Sequence, residues 1–381
     1  MKINLLLAAN LNDSLTRISI EWANVLDGMG HEVVISVPRI NHIDYHWWLF
    51  QQKWISGSKT ATILCFFRGV GVKRLFKAWG GGEISNLSNG VVVNRFTLRA
   101  NNLNMPASDY IIAMNGIYLV PNLLFLSQEK GEVVSSIHMN YSQAVVDSEK
   151  SVADWNKFQI VLENLISVRR FVESTENLKA CQSFNIPVNC IIPPGINSKQ
   201  FYPKKNWNKE GRPLRVVLFC HPRPHKGLSD GIRVVEKIKN NFSENEVIFS
   251  TLGDFGNFDV SIFDHHFGYL LKEEYPKALR EIDILIYPEL FGGFSVPPLH
   301  AMASGCAVVL NKIDGTEMYA QDMINCMLSK PGDISGMVKN VSNLIKNTNL
   351  RNKIRSSAIE CSILFDWYNP VKKLVNFLNG K

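Results

Sequence analysis

The chain has no CxxC pair: its seven cysteines, at 65, 181, 190, 220, 306, 326 and 361, lie scattered. That distribution excludes a zinc-knuckle spacing and a disulfide framework, and argues for reduced thiols in a cytosolic protein. No apolar run is long enough to span a bilayer. The opening MKINLLLAAN passes straight into Asn12 and Asp13 with no small-residue cleavage site, so a first buried strand is expected rather than a leader. The turn after it lacks GxGxxG, the dinucleotide fingerprint. The acids Glu289, Asp314 and Glu317 have no DxD spacing, so no metal and no cofactor is expected. Charge of one sign is also weak. A net +7 over 381 residues suits an anionic substrate or an anionic membrane surface, and is too diffuse to argue for nucleic acid.

What remains is an ordinary globular composition, 46% hydrophobic and 20% charged, in a chain long enough for two domains. Apolar strand-like runs alternate with helix-patterned segments in both halves. Residues 2–9, 31–37, 91–98, 109–114, 132–138, 171–174 and 186–192 read as strands of the first half, with helices at 17–29 and 175–184. The second half has strands at 214–220, 246–252, 282–287 and 307–310 and a strand and turn at 265–270, with helices at 228–239, at 272–281, after residue 297 and after Glu317. This alternation predicts an α/β protein with two doubly wound parallel sheets. The polar, basic stretch 204–215 is the best linker candidate, and an amphipathic helix closes the chain before Leu378.

One segment breaks the pattern. Residues 42–79 crowd Tyr45, Trp47, Trp48, Phe50 and Trp54 against Arg68, Lys73, Arg74, Phe76, Lys77 and Trp79. Cationic, aromatic segments suit a membrane interface, and aromatic faces suit a sugar or lipid-linked acceptor. The same residues equally suit an inserted helical subdomain packed on itself.

The most informative stretch is 287–306, YPELFGGFSVPPLHAMASGC. A buried strand, a Gly292-Gly293 turn and a helix opening on proline bring backbone N–H groups and a positive helix end to one place, which collects anions. Lys226 and Arg223, in HPRPHKG (221–227), follow another strand of the same half. Loops at the carboxyl ends of strands in one sheet can converge, and two cations beside a helix start make a diphosphate site. In the first half, Asn10, Asn12 and Ser14 follow strand one, where they can donate to a ligand or simply close a turn and cap a helix. His138 follows the 132–138 strand, where it can bond a sugar hydroxyl or move a proton, or be an ordinary loop histidine.

These motifs resemble the GT-B glycosyltransferases, specifically the retaining family 4 (group 1) type. The resemblance lies in HPRPHKG (221–227), FGGFSVPPLHAMASGCAVV (291–309), DGTEMYAQDMINCMLSKPGD (314–333) and IIPPGINSKQFYP (191–203), with DWYNPVKKLVNFL (366–378) like the family's closing helix. It is specific in the second half and weak over 40–105. It implies two Rossmann-like domains facing a central cleft: 1–192 on the acceptor side, 193–362 binding the nucleotide sugar, and 363–381 crossing back. It implies a nucleotide-diphosphate sugar as donor and a glycan or lipid-linked oligosaccharide as acceptor. The setting implied is synthesis of a bacterial surface polysaccharide such as O-antigen or capsule, in the cytoplasm or peripherally on the inner face of the cytoplasmic membrane.

By the same resemblance, Lys226 and Arg223 hold the diphosphate, the backbone at Gly293, Phe294, Ser295 and Val296 touches sugar and phosphates, and His138 lies near the sugar as the catalytic-site histidine. The donor phosphate would take the acceptor proton, so no protein base is required. Glu317 matches a later acidic position. The departure is at the family's paired glutamates: Gly292 and His300 stand there instead. Glu289, three residues upstream, is the carboxylate that would have to reach the sugar, and His300 can still bond a ribose hydroxyl. A non-catalytic scaffold with a degenerate site and a nucleotide-sugar epimerase of the same fold are the alternatives.

Overall fold

The computed structural model describes residues 1–7, 14–38, 86–96, 105–114, 130–137, 168–204, 211–270 and 273–380. Asn10, Asn12, His138, the aromatic-basic stretch 42–79 and the linker core 205–210 lie outside them. The chain divides into two compact units. One comprises Met1–Glu173, Asn177–Ile192 and Val371–Lys381; the other comprises Ser174–Glu176 and Pro193–Pro370.

The first unit holds a seven-stranded sheet: β1 (Lys2–Leu7), β2 (Glu32–Pro38), β3 (Val91–Phe96), β4 (Tyr110–Met114), β5 (Glu132–Ile137), β6 (Arg169–Val172) and β7 (Cys190–Ile191). The strand order is β3-β2-β1-β4-β5-β6-β7 and every pairing is parallel. Continuous apolar runs such as Leu5-Leu6-Leu7 and Ile111-Ile112-Ala113 are fully buried, as parallel strands covered on both faces require. Helix α1 (Ser14–Gly28) buries Trp22 and Leu26, and the Trp22 ring lies 5.7 Å from that of Phe171 in β6. Helix α2 (Thr175–Ser183) follows β6.

The second unit begins with β8 (Leu214–Cys220), α3 (Leu228–Lys239), β9 (Val247–Gly253), β10 (His265–His266) and α4 (Glu274–Leu279). It continues with β11 (Ile284–Tyr287), α5 (Val296–Ala303), β12 (Ala307–Asn311), β13 (Met327–Ser329), α6 (Ile334–Lys346) and α7 (Thr348–Ile363). Its sheet is also parallel, in the order β10-β9-β8-β11-β12-β13. The order reverses between β8 and β11, the switch point where the loops after two adjacent strands diverge and leave room for a ligand. Alternate residues of β8 and β11 feed two cores. Val216, Leu218, Ile284 and Ile286 pack under α3 and α6, and Val217, Leu285 and Tyr287 pack with α5.

The last helix, α8 (Tyr368–Leu378), passes from the second unit into the first. There Arg169 of β6 donates from Nη1 to the Phe377 carbonyl at 2.6 Å and from Nη2 to the Leu378 carbonyl at 3.1 Å, with its guanidinium 4.9 Å over the Phe377 ring. A cation on the orphan carbonyls of a helix C-terminus satisfies them and opposes the dipole.

The structure departs from the sequence reading in two places. The strand expected over 186–192 shrinks to Cys190–Ile191, because Asn185 is left-handed (φ 56°) and the Asn189 side chain accepts the Arg170 N–H. The strand and turn expected at 265–270 are present, as His265–His266 followed by a left-handed Gly268 (φ 66°). The helix expected after Glu317 does not begin until Ile334. A turn closed by Asn325, which accepts from the Gln321 N–H and donates to the Tyr319 carbonyl, leads instead into β13.

Candidate active site

The loop after β8 is short and strained into shape. Pro224–Lys226 forms one 3₁₀ turn, and Gly227 ends it at φ 66°. A Cβ at Gly227 would sit 2.0 Å from the Pro288 carbonyl oxygen, so glycine is required both for its dihedral and for the close approach of the next loop. That next loop, after β11, is tied on by the Leu290 N–H, which donates to the His225 carbonyl at 2.8 Å. Asn311, at the end of β12, donates from Nδ2 to the carbonyls of Pro288 and Glu289 at 3.0 and 3.1 Å. Three adjacent parallel strands thus fix the position of residue 289.

Glu289 is almost completely buried (1% exposed). Its Oε1 accepts from Lys226 Nζ and its Oε2 from Ser295 Oγ. Lys226 itself stays 24% exposed. An ammonium has three donors, and the carboxylate engages one side of it. Burying a carboxylate is costly unless its oxygens find partners, and here both do. Tyr287 and Tyr319 close the enclosure. Burial, and then the negative charge of Glu289, pushes both phenols well above their usual range, so they are neutral donors.

Beyond Glu289 the chain makes the glycine turn. Gly292 is buried and the Gly292-Gly293 carbonyls lie against Gly315, where a Cβ would meet the Gly293 oxygen at 1.7 Å. Tyr319 donates from its hydroxyl to the Ser295 carbonyl at 2.6 Å. The Phe294 side chain is core, 8% exposed, with ring centroids 5.5 Å from Tyr319 and 5.9 Å from Phe365, so only its backbone is offered to a ligand. The Ser295 N–H points at the Gly315 carbonyl, 3.5 Å away. Helix α5 opens with Val296, Pro297 and Pro298, so two of its first three residues have no N–H to offer. The turn therefore offers fewer N–H groups than a helix start alone suggests: those of Gly293, Phe294 and Val296.

The other expected residues take varied positions. Arg223 is exposed at the head of the 3₁₀ turn, its own N–H donating to His221 Nδ1 at 3.2 Å. His300 is half-buried on α5 and stacks on Phe201. Glu317 is exposed beside the 3₁₀ turn Asp314–Thr316. Ser14 opens α1, with its side chain outside the description. Among the described residues, no group of three His, Cys, Asp or Glu side chains is placed to hold a metal ion, all six cysteines are free thiols, and no helix is long and apolar enough to cross a membrane. Asn311, Tyr287 and Tyr319, which fix the loop and the turn, escaped the sequence reading. Asn311 had one signal: an amide ending an otherwise apolar strand.

Comparison with known proteins places this geometry. Sucrose-phosphate synthase from Thermosynechococcus elongatus superposes with a TM-score of 0.71, covering 100% of this chain and 98% of that one at 11% identity. HepE from Anabaena, solved in complex with UDP, superposes with a TM-score of 0.68 over 100% of both chains at 14% identity. Two parallel Rossmann-like units in this arrangement of strands are the GT-B glycosyltransferase fold. Residues 215–347 match the family model described as Glycosyl transferases group 1. The N,N'-diacetylbacillosaminyl-diphospho-undecaprenol alpha-1,3-N-acetylgalactosaminyltransferase of Campylobacter jejuni is 24% identical over 197 residues, covering 46% of this chain and 50% of that enzyme. The chain spans about half the length of the curated relatives it matches.

Proposed function

We propose that this protein is a glycosyltransferase that moves a sugar from a nucleoside diphosphate sugar to a hydroxyl of a glycan acceptor. The reading rests on one observation: Lys226, fixed by a buried carboxylate, stands beside the 292–296 turn at the switch point of the second sheet. Lys226, assisted by Arg223, holds the leaving diphosphate, and the Gly293, Phe294 and Val296 amides add dipoles. Charge is neutralised without a metal ion. The configuration at the sugar is retained, with the donor phosphate accepting the acceptor's proton. A lipid-linked acceptor in surface polysaccharide synthesis, met at the inner face of the membrane, is supported by the lipid diphosphate acceptor in the name of the Campylobacter relative. A uridine nucleotide is the first donor to try, since the Anabaena structure holds UDP.

The test is thermal stabilisation by a panel of nucleoside diphosphates, with and without chelator, in the wild type and in Lys226→Gln. A ligand at a hundredfold excess over its Kd adds about 2.7 kcal/mol. One nucleotide should stabilise the wild type regardless of chelator and lose most of its effect in the variant. Release of nucleoside diphosphate that requires an acceptor then separates transfer from epimerisation. No stabilisation by any nucleotide refutes the reading and favours a non-catalytic scaffold, the alternative raised by Gly292 and His300.

A further inference from the structure

Glu289 and Gly292 are not independent features of the turn. A Cβ built on Gly292 would lie 2.5 Å from Glu289 Oε1 and 2.9 Å from its carboxyl carbon. The carboxylate therefore fills the volume that any side chain at 292 would need. It cannot swing aside freely, because its two oxygens are bonded to Lys226 and Ser295 and its backbone carbonyl is held by Asn311. The site admits a carboxylate at 289 or a side chain at 292, but not both.

Sitting at 1% exposure, behind a lysine that is 24% exposed, the carboxylate is poorly placed to touch a sugar. It is well placed to act through its neighbours. One oxygen orients the ammonium so that its remaining N–H groups face outward. The other takes the Ser295 hydroxyl and so fixes the turn that carries the Gly293, Phe294 and Val296 amides. The cation and the amides come from loops after different strands, and Glu289 is the side chain bonded to Lys226 on one and to the Ser295 hydroxyl on the other.

We infer that Glu289 is a positioning residue for diphosphate recognition, made possible by the missing side chain at Gly292. This rests on Lys226 being the diphosphate-binding cation. The inference also decides between two opposed effects. A carboxylate on Lys226 lowers the local positive charge, which weakens anion binding; it also pre-organises the ammonium and the turn, which strengthens it. Because the same carboxylate anchors the turn as well as the lysine, pre-organisation wins.

The experiment is a set of calorimetric titrations with UDP and with uridine on the full chain, for the wild type, Glu289→Gln, Gly292→Ala, Glu289→Ser, Glu289→Ser/Gly292→Ala and Lys226→Gln with and without Glu289→Gln. If another nucleoside diphosphate stabilises the protein, it and its nucleoside replace the uridine pair. Glu289→Gln keeps the shape and should weaken diphosphate binding roughly tenfold, the size of one charge-assisted hydrogen bond. Uridine binding should change by less than about twofold, which a general loosening of the fold would not spare. Gly292→Ala should resemble Glu289→Gln, and the double variant should be no worse than Glu289→Ser alone, since the clash vanishes with the carboxylate. In the Lys226→Gln background, Glu289→Gln should have less effect than in the wild type. Tighter diphosphate binding in Glu289→Gln, or additive losses at 289 and 292, would overturn the inference. Unchanged diphosphate binding in Lys226→Gln would instead refute the parent reading of the lysine.

Discussion

The imidazole of His300 lies flat on the ring of Phe201, centroids 3.8 Å apart and planes 5° from parallel. Tyr275 meets both rings edge-on, 5.8 Å from His300 and 5.9 Å from Phe201. The stack sets the plane of the imidazole on α5, one turn past the residues proposed to hold phosphate. If His300 bonds a ribose hydroxyl, that plane decides whether its nitrogen points at the sugar. Phe201→Leu keeps most of the buried volume and removes the stack. We expect a two- to tenfold loss of nucleoside diphosphate affinity, since such ring pairs contribute about 0.5–1.5 kcal/mol. Calorimetry on the variant gives the answer; unchanged affinity would reduce the pair to packing.

Gly227 offers a sharper case, because two independent reasons forbid a side chain there. Its φ of 66° is left-handed, and a Cβ would lie 2.0 Å from the Pro288 oxygen. The dihedral alone costs an alanine roughly 1–2 kcal/mol, and the clash pushes apart the loops that carry Lys226 and Glu289. Gly227→Ala should lower unfolding free energy by about 2 kcal/mol or more in urea titrations, and should weaken diphosphate binding in the same protein. A stable variant with intact binding would mean the two loops need no such contact.

The fold was legible from the alternation of apolar runs with helical spacing, because parallel strands buried on both faces are mostly apolar. Leu214–Cys220 falls on its predicted limits as a largely apolar run, and Leu228–Lys239 falls on its limits by helical spacing. Strands of two or three residues, such as Met327–Ser329, leave no periodicity to read, and their positions are set by side chains closing turns, as Asn325 does. The meeting of the Lys226 loop with the glycine turn followed from strand polarity. The bond between Lys226 and Glu289 did not follow, because it depends on empty space at Gly292, and the sequence shows a missing side chain without showing what enters its place.

His221 supplies a pH dependence with a fixed sign. Burial first, and then the charges of Lys226, Arg223 and His225, lower its pKa below the usual 6.5. The unfolded chain therefore binds more protons at this position than the folded chain in the window just below pH 6.5. Stability from this group is complete above pH 6.5 and falls as the pH drops toward the folded pKa. A bound diphosphate would bring negative charge beside the same loop and raise that pKa, so binding below pH 6.5 should take up protons. Calorimetric titrations of the nucleotide in two buffers of different ionisation enthalpy, at pH 6 and pH 8, measure the uptake. His221→Asn should abolish most of the difference, and equal heats after buffer correction at both values would refute it.

Asp283 carries the largest expected stability effect outside the site. It immediately precedes β11 and is 2% exposed. Its carboxylate takes Arg212 Nη1 and Nη2 at 2.7 and 3.0 Å and the Arg215 N–H at 2.9 Å, with Arg355 Nη1 at 3.6 Å. Arg355 is buried and also donates to the Gly305 carbonyl, the turn that ends α5. The two sides of this cluster differ in exposure. Arg212 is 45% exposed, so its pair with Asp283 is screened by water; Arg212→Ala should cost about 1 kcal/mol or less. Asp283→Asn removes the carboxylate that faces the buried Arg355 guanidinium, and should cost roughly 3–5 kcal/mol. Denaturant titrations of the two single variants test that ratio. Replacing the buried cation as well, in Asp283→Asn/Arg355→Met, should recover part of the loss, because the penalty lies in the uncompensated charge and not in the missing contact. Equal losses in the two single variants, or no recovery in the double, would show that packing around β11 rather than charge holds this end of the sheet.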